Sequence, residues 1–229
     1  MIINHTYKFI FIKTRKTAGT SVEILLSKFC DANDIVTPIS EKDEKTRREL
    51  GYQGPVNYGV ETKYYRKIEW ARTIRQRRRR EFYNHAPAEF IRDRVSEAVW
   101  NSYFKFTIER DPYDRAISQY YWRTSEPRPS IATYLNEAPL KLVSNWPVYT
   151  INDHLAVDYV VRYERLNEDL QVVKERLGLP GDLELPRAKG TSRTNRDHYS
   201  KVLDAEARKR VEIACAKEIA ALGYRWTEQ

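Results

Sequence analysis

The stretch that decides the fold runs from Tyr7 to Ser21 and reads YKFIFIKTRKTAGTS. Its first six residues, Tyr7 to Ile12, are apolar and β-favouring, which predicts a buried strand. Beyond the strand, Ala18, Val22, Leu25, Leu26 and Phe29 recur at helical spacing. Thr20, with Glu23 three residues on, predicts a capping box at the start of that helix. Between the two elements, small residues let backbone N–H groups approach an anion, and the helix dipole favours negative charge. Lys13, Arg15 and Lys16 add cations, Thr17, Thr20 and Ser21 add hydroxyls, and Ala18 and Gly19 leave room. The loop is suited to a phosphate or sulfate, although an ordinary basic strand–helix turn has the same ingredients. It is not the G-x-x-x-x-G-K-[ST] loop of kinases and ATPases, because Lys16 precedes Gly19 by three residues.

Outward from this stretch the pattern repeats. Tyr103 to Ile108 predicts a second strand, with Arg110 at its end. Asp111-Pro112 supplies an N-cap and a proline at the first helical position. Ala116, Ile117, Tyr120 and Tyr121 form the apolar face of that helix, and Ser118 sits about two turns along it. An arginine fork suits a phosphate bidentately, and a nearby serine can complete the shell. Asp158 to Tyr163 predicts a third strand, followed by a helix over Leu166 to Leu177 and a Gly178-Leu179-Pro180 stop. Asp31 to Tyr58 is polar and reads as irregular, while Tyr64 to Glu81 is helix-compatible and basic. A last helix is expected over Asp204 to Leu222, with Cys215 on a buried stripe beside Val211, Ile219 and Leu222. Alternating strands and helices predict an α/β fold: one domain over residues 1–229, with a P-loop-like, mainly parallel sheet flanked by helices.

Composition sets limits on partners. The 229 residues suffice to bury about 70% of the unfolded surface without disulfides or metals. No apolar run approaches the roughly 18 residues of a membrane-spanning helix, and no secretory signal is visible. Cys30 and Cys215 have no metal or disulfide spacing, so a reducing, cytoplasmic location is expected. The net charge of +8 is local: Thr62 to Arg80 holds nine basic residues against Glu69 alone, so the rest of the chain sums to zero.

K-T-A-G-T-S (Lys16–Ser21) after the first strand and R-D-P-Y-D-R-A-I-S (Arg110–Ser118) after a later one together resemble the sulfotransferases that use 3′-phosphoadenosine 5′-phosphosulfate (PAPS), especially the carbohydrate type. The resemblance extends more weakly to Arg196-Asp197-His198-Tyr199 and to Glu218–Trp226. It implies that Lys16 meets the bridging oxygen and that Thr17, Ala18, Gly19, Thr20 and Ser21 surround the 5′-phosphate. It implies further that Arg110 and Ser118 hold the 3′-phosphate, and that a loop with Lys189, Thr191, Ser192 and Arg193 closes over the donor. The product would be adenosine 3′,5′-bisphosphate. Arg15 stands where the family often has proline, which raises the question of what stiffens the loop.

Sulfuryl transfer is an in-line displacement whose leaving group is already a good one, so the chemistry requires no metal. It needs charge stabilisation on the bridging oxygen, a task for Lys16, and a base for the acceptor hydroxyl. Phe82 to Phe90 resembles the place where uronyl 2-O-type sulfotransferases carry a base histidine, which nominates His85; packing near Pro87 is its bland alternative. His198 reads as structural, and His5 and His154 have no supporting context. Arg77, Arg78, Arg79 and Arg80 precede His85 and suit an anionic carbohydrate acceptor, although charge runs are often solvated faces. A P-loop phosphotransferase and a basic nucleic-acid-binding module are the rival readings; the second leaves both anion-binding elements without a purpose.

Overall fold

The computed structural model describes residues 1–77, 79–186, 195 and 197–229. Arg78 and the loop residues Lys189, Thr191, Ser192 and Arg193 lie outside the described residues. Five strands form the central sheet: β1 (Ile2–Asn4), β2 (Phe9–Ile12), β3 (Ile35–Val36), β4 (Phe104–Glu109) and β5 (Tyr159–Arg162). Their spatial order is β3-β1-β2-β4-β5. β2 pairs parallel with β4 and β4 with β5, whereas β1 runs antiparallel to both β2 and β3. Four strands therefore share one direction and β1 alone opposes them, which makes the sheet mainly parallel as expected.

Because side chains alternate along a strand, β2 feeds two cores. Phe9 and Phe11 face Val22, Leu26, Phe106, Ile108, Leu170 and Val173 on one side. Ile10 and Ile12 face Phe82, Ile91, Trp146 and Tyr149 on the other. Helices cover both faces, which is why β2 reads as a continuous apolar run. A third core lies under the helix that follows β4 and includes Tyr113, Ile117, Leu135, Val211 and the fully buried Cys215.

The helices that matter for the site are α1 (Gly19–Leu26), α2 (Glu41–Glu49), α3 (Lys67–Gln76) and α4 (Pro112–Arg123). After β5 come α5 (Leu166–Leu177), α6 (Ala205–Ala214) and α7 (Ala216–Leu222). Asp111 caps α4 by accepting from the Tyr113 amide at 2.9 Å. Gly178 ends α5 in the left-handed region, where a Cβ would be strained.

Several expectations are corrected. The stretch from Asp31 to Tyr58 is not irregular throughout, since it carries β3 and α2. α2 is almost wholly charged and has no apolar period to betray it; the Ser40 cap, acids in its first turn and arginines in its last turn support it instead. The basic helix is shorter than Tyr64 to Glu81, and Arg77 closes it in the left-handed region. The expected last helix is two helices, broken at Cys215, where φ is −113°. The capping box at Thr20 and Glu23 does not form. α1 begins after a left-handed Ala18 without a side-chain cap, and Glu23 is fully buried.

Candidate functional site

The carboxyl ends of β2, β4 and β5 open into one cleft of about 370 Å³. In open α/β sheets, ligands bind at this end of the strands. The Lys13–Ser21 loop, Arg110, Ser118 and His85 all line it, so the structure gathers both sequence elements and the nominated base into one place.

The loop takes its shape from its backbone. Lys16 and Ala18 have φ of 61° and 59°, a left-handed pair that turns the chain sharply into α1. The first-turn N–H groups of α1 have no carbonyl within the helix to bond. Such backbone concavities favour anions. Gly19 serves a different need: a Cβ there would stand 2.9 Å from Cγ of Lys13. The loop's only glycine thus lets the buried stem of Lys13 pass beneath it.

Lys13 is almost fully buried, and its Nζ lies 2.7 Å from Oε2 of Glu23. Burial alone would raise the Glu23 carboxyl, but Lys13 and the chain's amino group outweigh it and hold it at about 2. Arg47 from α2 approaches the same carboxylate, at 3.9 Å. The Lys13 charge thus braces the loop against α1.

Lys16 is oriented differently. Its ammonium sits 4.7 Å from the Trp122 ring centre on α4, and its carbonyl accepts from Nη1 of Arg110 at 3.4 Å. Arg110 also donates from Nε to Asp114 at 2.7 Å and lies 4.1 Å from the Tyr163 ring centre. These contacts fix the plane of the guanidinium at the cleft wall. Thr14 ties the loop to β4 by donating to the Ile108 carbonyl.

Asn145 answers the question raised by Arg15. Its Oδ1 accepts from the Arg15 amide at 3.0 Å, and its Nδ2 donates to the Arg15 carbonyl at 3.0 Å. The same Nδ2 lies 3.3 Å from Glu109, at the end of β4. Asn145 is fully buried and is held in turn by Glu218, which accepts its backbone N–H at 2.9 Å. Glu218 and Glu109 flank Arg115 at 3.4 and 3.2 Å. Burial favours a neutral Arg115, but Glu109 and Glu218 outweigh it and hold the guanidinium charged.

His85 faces the cleft from the segment between α3 and the short helix Ala88–Arg92. It is left-handed, with φ of 61°, and its Nδ1 lies 3.1 Å from the Lys13 carbonyl. A carbonyl only accepts, so Nδ1 carries the proton and Nε2 keeps its lone pair. Burial, then Lys13 and Arg15, push the imidazolium pKa down to about 3, so the ring is neutral.

Further lining residues escaped the sequence analysis. Gln119, Trp122 and Arg123 continue the Ser118 face of α4, and their helical spacing from Ser118 was a usable signal. Ser40, the cap of α2, comes from the stretch read as irregular. Asn84 lines the cleft with a buried side-chain oxygen that has no hydrogen-bond partner among the described residues, which suits a site built to take a polar ligand. Of the nominated arginines, Arg80 pairs with Glu69 at 3.1 Å and lies 5.3 Å from the Phe90 ring centre, while Arg77 and Arg79 are exposed. None of the three lines the cleft.

A model of the sulfotransferase family matches residues 1–224. The chain is also similar to an uncharacterized protein of Archaeoglobus fulgidus, with 28% identity over 123 residues, covering 51% of this chain and 99% of that protein. No solved structure matches.

Proposed function

Because the chain belongs to the sulfotransferase family, we propose that it moves a sulfuryl group from PAPS to a hydroxyl of a carbohydrate acceptor. PAPS, when bound, supplies a sulfuryl group already attached to a good leaving group. The residues present fit this donor. The Lys16–Ser21 backbone and hydroxyls form an anion cradle, and Arg110 with Ser118 provides a second cationic and hydroxyl-bearing wall in the same cleft. The Lys16 ammonium offsets the negative charge that grows on the bridging oxygen, a stabilisation that is strong in a partly desolvated cleft. Arg110, its guanidinium plane held by Asp114 and Tyr163, meets the 3′-phosphate with its Nη groups.

His85 accepts the acceptor's proton at Nε2. The observation that carries this assignment is the Nδ1 contact to the Lys13 carbonyl, which fixes the tautomer and ties the base to the donor loop. Arg77, Arg79 and Arg80, upstream of His85, attract an acceptor bearing acidic groups. A cytoplasmic location accords with the free thiols of Cys30 and Cys215.

Titration calorimetry with adenosine 3′,5′-bisphosphate, beside ADP and ATP with magnesium, tests the reading. The expected result is micromolar affinity for the 3′,5′-bisphosphate without metal and much weaker binding of the others. Preference for ATP with magnesium would overturn it in favour of a phosphotransferase.

A further inference from the structure

α3 is attached to the fold in an unusual way. Of its ten residues only Glu69 is buried. That carboxylate accepts from the Arg66 amide at 2.9 Å and pairs with Arg94 and Arg80, so the helix is held through a polar anchor and not through an apolar stripe. Its large apolar side chains are substantially exposed instead: Ile74 is 74% exposed, Ile68 59%, and Trp70, whose ring centre lies 5.4 Å from that of Tyr65, 45%. At 3.6 residues per turn, Lys67, Ala71 and Ile74 lie opposite Glu69, flanked by Arg75 and Ile68 on one side and Trp70 on the other.

This outer face is cationic and apolar at once. The surrounding segment, residues 62–80, accounts for the entire net charge of the chain, with nine basic residues against one acid that is spent on the anchor. Cations alone would suit any polyanion. A tryptophan can stack on a sugar ring, but the aliphatic Ile68 and Ile74 gain nothing from a sugar–phosphate or sulfated chain in water, whereas all three gain burial at the boundary between lipid headgroups and acyl chains. A tryptophan flanked by basic residues is typical of helices that lie in that boundary. We propose that α3 docks the protein onto an anionic lipid bilayer, with Trp70 and Ile74 inserted, Ile68 at the edge of the inserted face, and Lys67 and Arg75 reaching the headgroups. This inference does not depend on the donor or acceptor assignments.

The test is co-sedimentation of the full chain with vesicles of phosphatidylcholine, alone or mixed with phosphatidylglycerol, beside binding to heparin as a soluble polyanion. The chain should pellet with the mixed vesicles and not with phosphatidylcholine alone. The Ile68→Ser/Ile74→Ser variant, altered only at exposed positions, should lose at least about tenfold in vesicle affinity while binding heparin as before. The Lys67→Glu/Arg75→Glu variant should lose both. A blue shift in emission on vesicle binding should disappear in Trp70→Phe. Equal pelleting with both vesicle types would overturn the proposal, as would heparin binding without vesicle binding. Vesicle binding unaffected by the serine pair, or binding to neither probe, would overturn it too.

Discussion

The side-chain amide of Asn145 holds the peptide of Arg15 from both sides, 130 residues away in sequence, with two hydrogen bonds of 3.0 Å. A proline at position 15 would stiffen the loop by fixing φ, and it could not make the first of these bonds. Asn145 achieves stiffness by tertiary contact, and it joins the loop to the end of β4 through Glu109. Asn145→Leu should therefore weaken adenosine 3′,5′-bisphosphate binding by about tenfold, near 1.4 kcal/mol, by calorimetry. Wild-type affinity in that variant would show that the clamp does not shape the donor site.

Lys16→Ala should lower turnover by about 10²–10³-fold, the scale of losing one preorganised group that stabilises charge. It should also weaken donor binding. A steady-state sulfation assay with labelled PAPS reads both effects.

Arg110→Ala should lower affinity for adenosine 3′,5′-bisphosphate by about 10–100-fold, the scale of a lost charged hydrogen bond. Affinity for adenosine 5′-phosphate, which has no 3′-phosphate, should change little. Parallel titrations with the two nucleotides separate a 3′-phosphate contact from general damage to the loop.

His85→Ala should leave nucleotide binding intact and reduce turnover by about 10²–10⁴-fold. The pH dependence has a defined sign. Protonation disables the base, and the imidazolium pKa of the unliganded protein is about 3, not 6.5. The acid limb of kcat/KM, which reports the free enzyme, should therefore lie well below pH 6. An acid limb near 6.5 would remove His85 from the role.

Arg115→Met should destabilise the fold by about 3–5 kcal/mol, because Glu109 and Glu218 would be left buried without their shared cation. Urea denaturation monitored by tryptophan fluorescence gives this value directly. A neutral result would mean that the two carboxyls take up protons, which Glu109, pushed upward by burial, is already inclined to do.

What the sequence reveals here is what lies close together along the chain. The strand, loop and helix at residues 7–26, the Asp111-Pro112 start of α4 and the Gly178 stop of α5 each rest on neighbours a few residues apart, and they appear nearly where expected. Lys13 shows the limit. Its place among cations and hydroxyls suggests a ligand contact, but only the packing of α1 puts its ammonium against Glu23. β1 and β3 are too short to show an alternation, and α2 is too polar to show a helical one. Asn145 and Asn84 fall in stretches without periodicity, and their importance comes from partners that only the folded sheet brings near. The break at Cys215 belongs to the same class, since it separates α6 from α7, the helix whose Glu218 accepts the Asn145 and Trp146 amides at 2.9 and 3.1 Å.

Lys16, Ala18 and His85 all hold left-handed backbones without being glycine, and all three line the cleft. Such conformations cost about 1–3 kcal/mol each and persist only where the surroundings enforce them. These three backbones therefore mould the cleft as the chain folds, held there by the packing around them. Selection for heat tolerance alone would drift toward glycine at these three positions, relaxing the backbone and blurring the mould in the same step.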